Sequence, residues 1–265
     1  MQAHHVLPDA GQIARIEEAS LNATVVPEQQ LYAGWVVRWA DSSAKRARSV
    51  NILAPSAVPL DERLGYVAGI YERHGLPLLF RLADDCPDAT LEAALASRGF
   101  KPFGHTRVMA VPMQIAVDIA SRQEPGALQV SPADAPTFAM EVGRLKGSRA
   151  QHIAEHTLRL SSVAVPKQML LAYDGRACVG AALAVFDGRL MGIFDVISDP
   201  ARRRQGIAAQ LLRAQLREGG RQGVSLVYLQ VEANNLPACA LYARYGFTNH
   251  HQYWYLSLAG DQDDQ

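Results

Sequence analysis

The stretch Asp199-Pro200-Ala201-Arg202-Arg203-Arg204-Gln205-Gly206-Ile207-Ala208-Ala209-Gln210-Leu211-Leu212 follows an apolar run and reads as a basic loop opening a helix. Its chemistry is anion binding. The first N–H groups of a helix lack intrahelical partners and the macrodipole is positive there, so a phosphate meets donors and favourable charge together. Gly206 lets a pyrophosphate approach the backbone, Ala208 and Ala209 keep the first turn small, and Arg203 and Arg204 add charge. Ile207, Leu211, Leu212 and Leu216 fall on one side of the helix and are predicted to pack it on a sheet.

Downstream, Ser225-Leu226-Val227-Tyr228-Leu229-Gln230-Val231 reads as a short apolar strand, and Asn234 to Phe247 as a loop, a helix and a glycine stop. The Arg203-x-x-Gly206-x-Ala208 loop resembles the acyl-CoA signature of the GNAT superfamily of N-acyltransferases. Asn235-x-x-Ala238-x-x-x-Tyr242-x-x-x-Gly246-Phe247 is similar to that superfamily's second cofactor motif, and the resemblance runs from about Ala127 to Leu258. It implies acetyl-CoA as acyl donor, held by Val196, Ile197, Ser198, Arg203, Arg204, Gln205, Gly206, Ile207, Ala208, Ala209, Asn235 and Tyr242.

The reaction this resemblance implies is direct attack of a neutral primary amine on the thioester, through an oxyanion that expels CoA thiolate. A backbone N–H from Val196-Ile197-Ser198 serves the oxyanion, and Tyr242 protonates the leaving thiolate. An ammonium has no lone pair, so the amine needs a base or a water path to one. Many relatives carry a glutamate on the strand before the phosphate loop. Here that strand reads Met191-Gly192-Ile193-Phe194-Asp195-Val196-Ile197, leaving Asp195 and, after the next strand, Glu232 as the carboxylates for the role. Asn235 sits where a side-chain amide can cap a helix and reach the cofactor amide. Tyr253, Trp254, Tyr255, His250, His251, Trp35 and Arg38 are the residues that could line an acceptor pocket, although strand alternation sends Trp254 away from Tyr253 and Tyr255.

Two halves share one plan. Leu76–Val111 lies without a gap on Gly223–Leu258 at an offset of 147 residues, placing Leu79 on Leu226, Leu82 on Leu229, Ala93 on Ala240 and Gly99-Phe100 on Gly246-Phe247. Leu60, Leu64, Val67, Ile70 and Tyr71 form a helical stripe where the second half has its post-loop helix, and Trp35 to Ala40 with Ser49 to Leu53 read as hairpin strands. The first half's loop, Ala54-Pro55-Ser56-Ala57-Val58-Pro59-Leu60, lacks glycine and arginine, and its prolines remove donors an anion needs. Asp88 stands for Asn235 and Leu95 for Tyr242. The expected fold class is α/β of the mixed α+β kind. It has two GNAT-like domains, each a mixed, mostly antiparallel sheet flanked by helices: a degenerate one at 1–111, a linker at 112–126 and the catalytic one at 127–265.

Composition bounds the rest. In 265 residues, 26 Lys plus Arg balance 26 Asp plus Glu, which offers no global field for nucleic acid or an anionic membrane. Cys86, Cys178 and Cys239 are too scattered for a disulfide framework or metal cluster, and adjacent His250 and His251 point apart on a strand, so no metal is expected. There is no membrane-length apolar run and no signal-peptide pattern, and a cytoplasmic address is the default. The expected partner is a small-molecule amine or a peptide or protein amine; oligomeric state is left open. From another functional class, a non-catalytic acyl-CoA-binding regulatory module fits the missing glutamate.

Overall fold

Alternating apolar runs become strands and 3.6-period stripes become helices in the computed structural model, which describes residues 10–42, 44–124 and 126–258. In chain order the elements are α1 Ala10–Asn22, β1 Gln29–Tyr32, β2 Trp35–Arg38, β3 Val50–Ile52, α2 Leu60–Arg73, β4 Phe80–Ala83, α3 Leu91–Ala96, β5 Lys101–Pro112 and α4 Met113–Ser121. They continue with β6 Gln129–Pro132, α5 Ala135–Lys146, α6 Ala150–Ser162, β7 Lys167–Asp174, β8 Ala177–Asp187, β9 Leu190–Ser198, α7 Ile207–Arg221, β10 Leu226–Glu232, α8 Leu236–Ala243 and β11 Thr248–Ser257. The helix α6 is not anticipated by the sequence reading. The segment 112–126, expected as a linker, contains α4, because Met113, Ala116 and Ala120 lie on one helical face and are buried.

The chain divides into two compact units: residues 1–14, 26–107 and 251–265 in the first, 15–25 and 108–250 in the second. In the first, β1, β2 and β3 form an antiparallel meander, β3 runs parallel to β4, and β4 pairs antiparallel with β11 through Tyr253↔Ala83 to Leu256↔Phe80. In the second, β6, β7, β8 and β9 are antiparallel, β9 and β10 are parallel, and β5 lies beside β10. Each unit is thus a mixed, mostly antiparallel sheet with helices packed on it. The closing strands are exchanged: β5 begins in the first unit's sequence and ends in the second's, and β11 does the reverse.

The 147-residue offset holds beyond the segment that revealed it. It lays α2 on α7, β4 on β10, α3 on α8 and β5 on β11, and the stop glycines share a left-handed backbone, φ 89° at Gly99 and 87° at Gly246. The second unit's core joins α4 and β5 to α7, β10 and α8 through Met113, Val111, Leu212, Leu216, Leu229 and Tyr242. Each such side chain contributes roughly 2 kcal/mol when fully buried. In the first unit Trp35, Phe80 and Phe100 stack edge-on around Val67, Leu91 and Leu95.

One buried hydroxyl links helix to sheet there. Tyr71 on α2, 1% exposed, donates within reach of two carbonyls, Arg38 at 2.6 Å and Arg48 at 3.2 Å. Tyr71→Phe leaves both short of a donor and is expected to lower stability by about 1–3 kcal/mol without changing the fold, read as a lower urea midpoint at unchanged slope.

Candidate active site

The site begins where a sheet comes apart. Parallel pairing between β9 and β10 runs from Leu190↔Leu226 to Ile193↔Leu229 and stops. Both strands continue, β9 to Ser198 and β10 to Glu232, so over Val196–Ser198 the edge of β9 facing β10 has no ladder partner on β10 among the described residues. Backbone donors left this way require another acceptor. On its other edge β9 pairs with β8, where Asp195 and Val196 together face the single residue Ala182, a β-bulge. Asp195 sits in it at φ 48°, a left-handed conformation costing roughly 1 kcal/mol for a residue with a side chain.

Beyond β9 the loop is built for open donors. Asp199 Oδ1 accepts from Ala201 N–H at 2.9 Å and starts a single 3-10 turn over Pro200–Arg202. Arg202 is fixed by Asp174 at 2.7 Å and by Gln205 at 3.2 Å. Gly206 then takes φ 79° as the N-cap of α7, with no side-chain cap, and a Cβ there meets nothing within 4 Å. The first-turn N–H groups of α7 therefore face open space. The helix is seated by a second glycine: a Cβ on Gly180 of β8 would lie 2.4 Å from Ile207 Cγ2, so only glycine lets α7 approach this closely.

These elements enclose a cleft of about 830 Å³. Val196, Ile197 and Ser198 line it from β9, Arg203, Arg204, Gly206, Ile207, Ala208 and Ala209 from the loop and α7, and Asn235 and Tyr242 from α8. Of the residues expected to hold the donor, Gln205 alone is not on the wall; it braces Arg202 instead. Ala238 of the second motif also lines the cleft, as do Arg202, Pro237, Ala240, Leu241 and Arg244, which the sequence reading does not place there. Helical spacing from Asn235 would have found most of them, since α8 lies along the wall.

Two side chains carry unused hydrogen-bonding capacity into the cleft. Asn235 Oδ1 caps α8 by accepting from Ala238 N–H at 3.2 Å, which leaves the Nδ2 amide as donor. Tyr242 is 7% exposed, stacks edge-on with Phe247, and burial pushes its pKa up to about 12. The phenol is therefore a protonated donor throughout the neutral range. Its hydroxyl has no hydrogen-bond partner among the described residues.

The carboxylates go elsewhere. Asp195 and Glu232 both lie off the cleft wall. Asp195 Oδ1 accepts from Lys146 Nζ at 3.1 Å, and its Oδ2 lies 3.0 Å from His156 Nε2. Burial pushes this carboxyl up, but the Lys146 ammonium and the His156 hydrogen bond outweigh it and hold the group well below the usual carboxylate range. A carboxylate so stabilised is a poor proton acceptor near pH 7. Glu232 is exposed at the end of β10. The aromatic residues considered for an acceptor pocket belong to the first unit: Trp35 and Arg38 are buried, Arg81 lies 3.7 Å over the Tyr253 ring, Tyr255 packs near Phe103, and Trp254 Nε1 donates to Glu92 at 2.9 Å. His251 is buried in the same unit, whereas His250 falls in the second. Among the described residues no His, Cys, Asp and Glu group is arranged for a metal, and no helix is long and apolar enough to cross a membrane.

The fold is that of the GNAT acetyltransferases. Over 96% of both chains it is similar to a GCN5-related N-acetyltransferase from Kribbella flavida, at 15% identity and a TM-score of 0.66. It is also similar to a tandem GNAT protein from the clavulanic acid biosynthesis pathway (14% identity, 95% of this chain and 89% of that one, TM-score 0.62). A functionally unknown conserved protein from Staphylococcus epidermidis shares it as well (13% identity, 86% and 91%, TM-score 0.60). Residues 10–256 match the family described as probable histone acetyltransferase Rv0428c C-terminal, and the chain belongs to that family. No curated protein matches it.

The Asp195 pair gives the site a pH signature. The folded carboxyl titrates below its ordinary value of 3.8, so its stabilising contribution is complete above that value and is lost as pH falls through the folded pKa. Asp195→Asn should therefore lower the melting temperature by its full amount above about pH 5, the difference shrinking below about pH 4.

Proposed function

We propose that the second unit is an acetyl-CoA-dependent N-acetyltransferase acting on a primary amine. The observation that carries this reading is the cleft itself: an uncapped helix start behind Gly206, two exposed arginines beside it, an unpaired strand edge, and an unpartnered tyrosine hydroxyl, all on one wall. These groups fit a diphosphate joined to an extended amide-bearing arm that ends in a thioester. Bound there, acetyl-CoA supplies the acyl group. The N–H groups at the start of α7 with Arg203 and Arg204 bind the diphosphate. The open edge of Val196–Ser198 pairs with the amide arm and offers a donor to the thioester oxygen, as strand donors do in acyl transfer. Asn235 Nδ2 adds a hydrogen bond to the arm. Tyr242, protonated and desolvated, delivers its proton to the departing sulfur.

With Asp195 committed to Lys146 and His156 and Glu232 in solvent, the amine's proton leaves through water rather than directly to a carboxylate on the wall. The acceptor is a small-molecule amine or an amine of a peptide or protein; the family description, probable histone acetyltransferase, favours a lysine side chain. The first unit serves as a donor-free scaffold. Its α2 starts after Pro59, Leu95 stands at the tyrosine position, and Asp88 pairs with the buried Arg63 at 3.3 Å. The absence of a carboxylate base on the wall also supports a second reading, an acyl-CoA-binding regulatory module without turnover.

Calorimetric titration of acetyl-CoA is expected to give micromolar binding that Gly206→Trp or Arg203→Glu abolishes while the protein remains folded; equal affinity in all three proteins would remove the donor site. Tyr242→Phe is expected to leave acetyl-CoA affinity within about twofold and to slow acetylation of a lysine peptide about 100-fold. Donor binding with no turnover by wild type on any amine tested would select the regulatory reading.

A further inference from the structure

The β9 bulge is held from two helices, neither of which belongs to the cleft wall. Lys146 ends α5 and His156 lies within α6, and their side chains take the two oxygens of Asp195 separately. Of the two anchors, the Lys146 side chain is half-exposed and the His156 ring is packed. His156 is 7% exposed and packs edge-on against Phe138 of α5. The two helices interlock at Gly143, where a Cβ would lie 2.4 Å from Ile153 Cγ1, and Arg144 donates to the Cys178 carbonyl on β8 at 2.5 Å. The carboxylate is thus tied to a frame with little freedom to follow it.

We propose that Lys146, Asp195 and His156 form a positioning clamp that sets the backbone of Val196–Ser198 for the acyl donor; this rests on the acyl-CoA reading above. Residue 195 must satisfy two demands at once. It has to accept a left-handed backbone, which Asp, Asn and Gly tolerate and most residues do not, and it has to carry a short anion that reaches both helices. Without the anion, the ties from α5 and α6 are gone and the bulge is held only by the β8 pairing on either side of it. Removing one residue's worth of slack from β9 reverses the face on which each following side chain and N–H is presented, because the strand period is two. The residues reoriented in this way are Val196, Ile197 and Ser198, which line the cleft, whereas none of the three clamp residues does. The clamp therefore acts through the backbone and touches no ligand.

The test separates conformation from charge. Asp195→Ala is expected to weaken acetyl-CoA binding about tenfold by calorimetry, and Asp195→Gly, which keeps the backbone freedom without the anion, to recover part of it. Lys146→Met, removing one arm, is expected to cost about threefold. In the unliganded protein, amide hydrogen exchange at Val196–Ser198 should quicken in Asp195→Ala and Lys146→Met while the α7 core stays protected. A folded Asp195→Ala with affinity within about twofold of wild type overturns the clamp, as does unchanged exchange in Lys146→Met if Asp195→Ala fails to fold. Wild type that binds no acetyl-CoA refutes the acyl-CoA reading instead, and the exchange measurement still decides whether the clamp sets the strand.

Discussion

Everything in the site follows from the place where β9 and β10 stop pairing. A sheet interior leaves no backbone group to spare, so an enzyme that uses main-chain donors has to break a ladder and keep the break from closing. Here the parallel register ends at Ile193↔Leu229, and the bulge opposite Ala182 turns β9 immediately afterwards. Gly180 then admits α7 at close range, which brings an uncapped helix start alongside the open edge. Two sets of unsatisfied donors, one from a strand and one from a helix, come to share a cleft. The helix start depends on the glycines that permit it, and the strand edge also on the Asp195 side chain held by α5 and α6.

The repeated plan shows how little is needed to lose such a site. With the 147-residue offset α2 overlies α7 and α3 overlies α8, and the parallel pair β3–β4 occupies the place of β9–β10. Of the many positions at which the first unit differs, three lie where the cleft would be. Pro59 stands at the helix start that Gly206 opens in the second, and Trp35 fills the position of the small Ala182. Arg63, its guanidinium 4.6 Å from the centre of that Trp35 ring, reaches Asp88, the counterpart of Asn235. The groove is occupied by the protein's own side chains, and what remains is a folding unit.

Much of this was legible from residue types. The phosphate loop and the α8 motif announce themselves because glycine and proline restrict the local backbone. The second unit's strands fell where their apolar runs lie. Met113, Ala116 and Ala120 form a buried helical face ahead of the Pro-Gly break at 125 and 126, so α4 forms within the segment expected as a linker. The role of Asp195 was beyond reach. Its identity suggested a base, whereas its role depends on Lys146 and His156, which lie 49 and 39 residues away and meet it only when α5 and α6 pack. Long-range ion pairs leave no periodicity to read.

The exchange of closing strands bears on how the chain comes off the ribosome. The partner that β4 needs is β11, and Tyr253 meets Ala83 across about 170 residues of intervening sequence. During synthesis the first unit waits with a strand edge exposed until β11 has emerged, although its helices and meander are long since made. The second unit, by contrast, has β5 in hand before its strands β6 to β10 exist. Order of synthesis thus favours completion of the cleft-bearing unit first, and the first unit is closed only when β11 arrives.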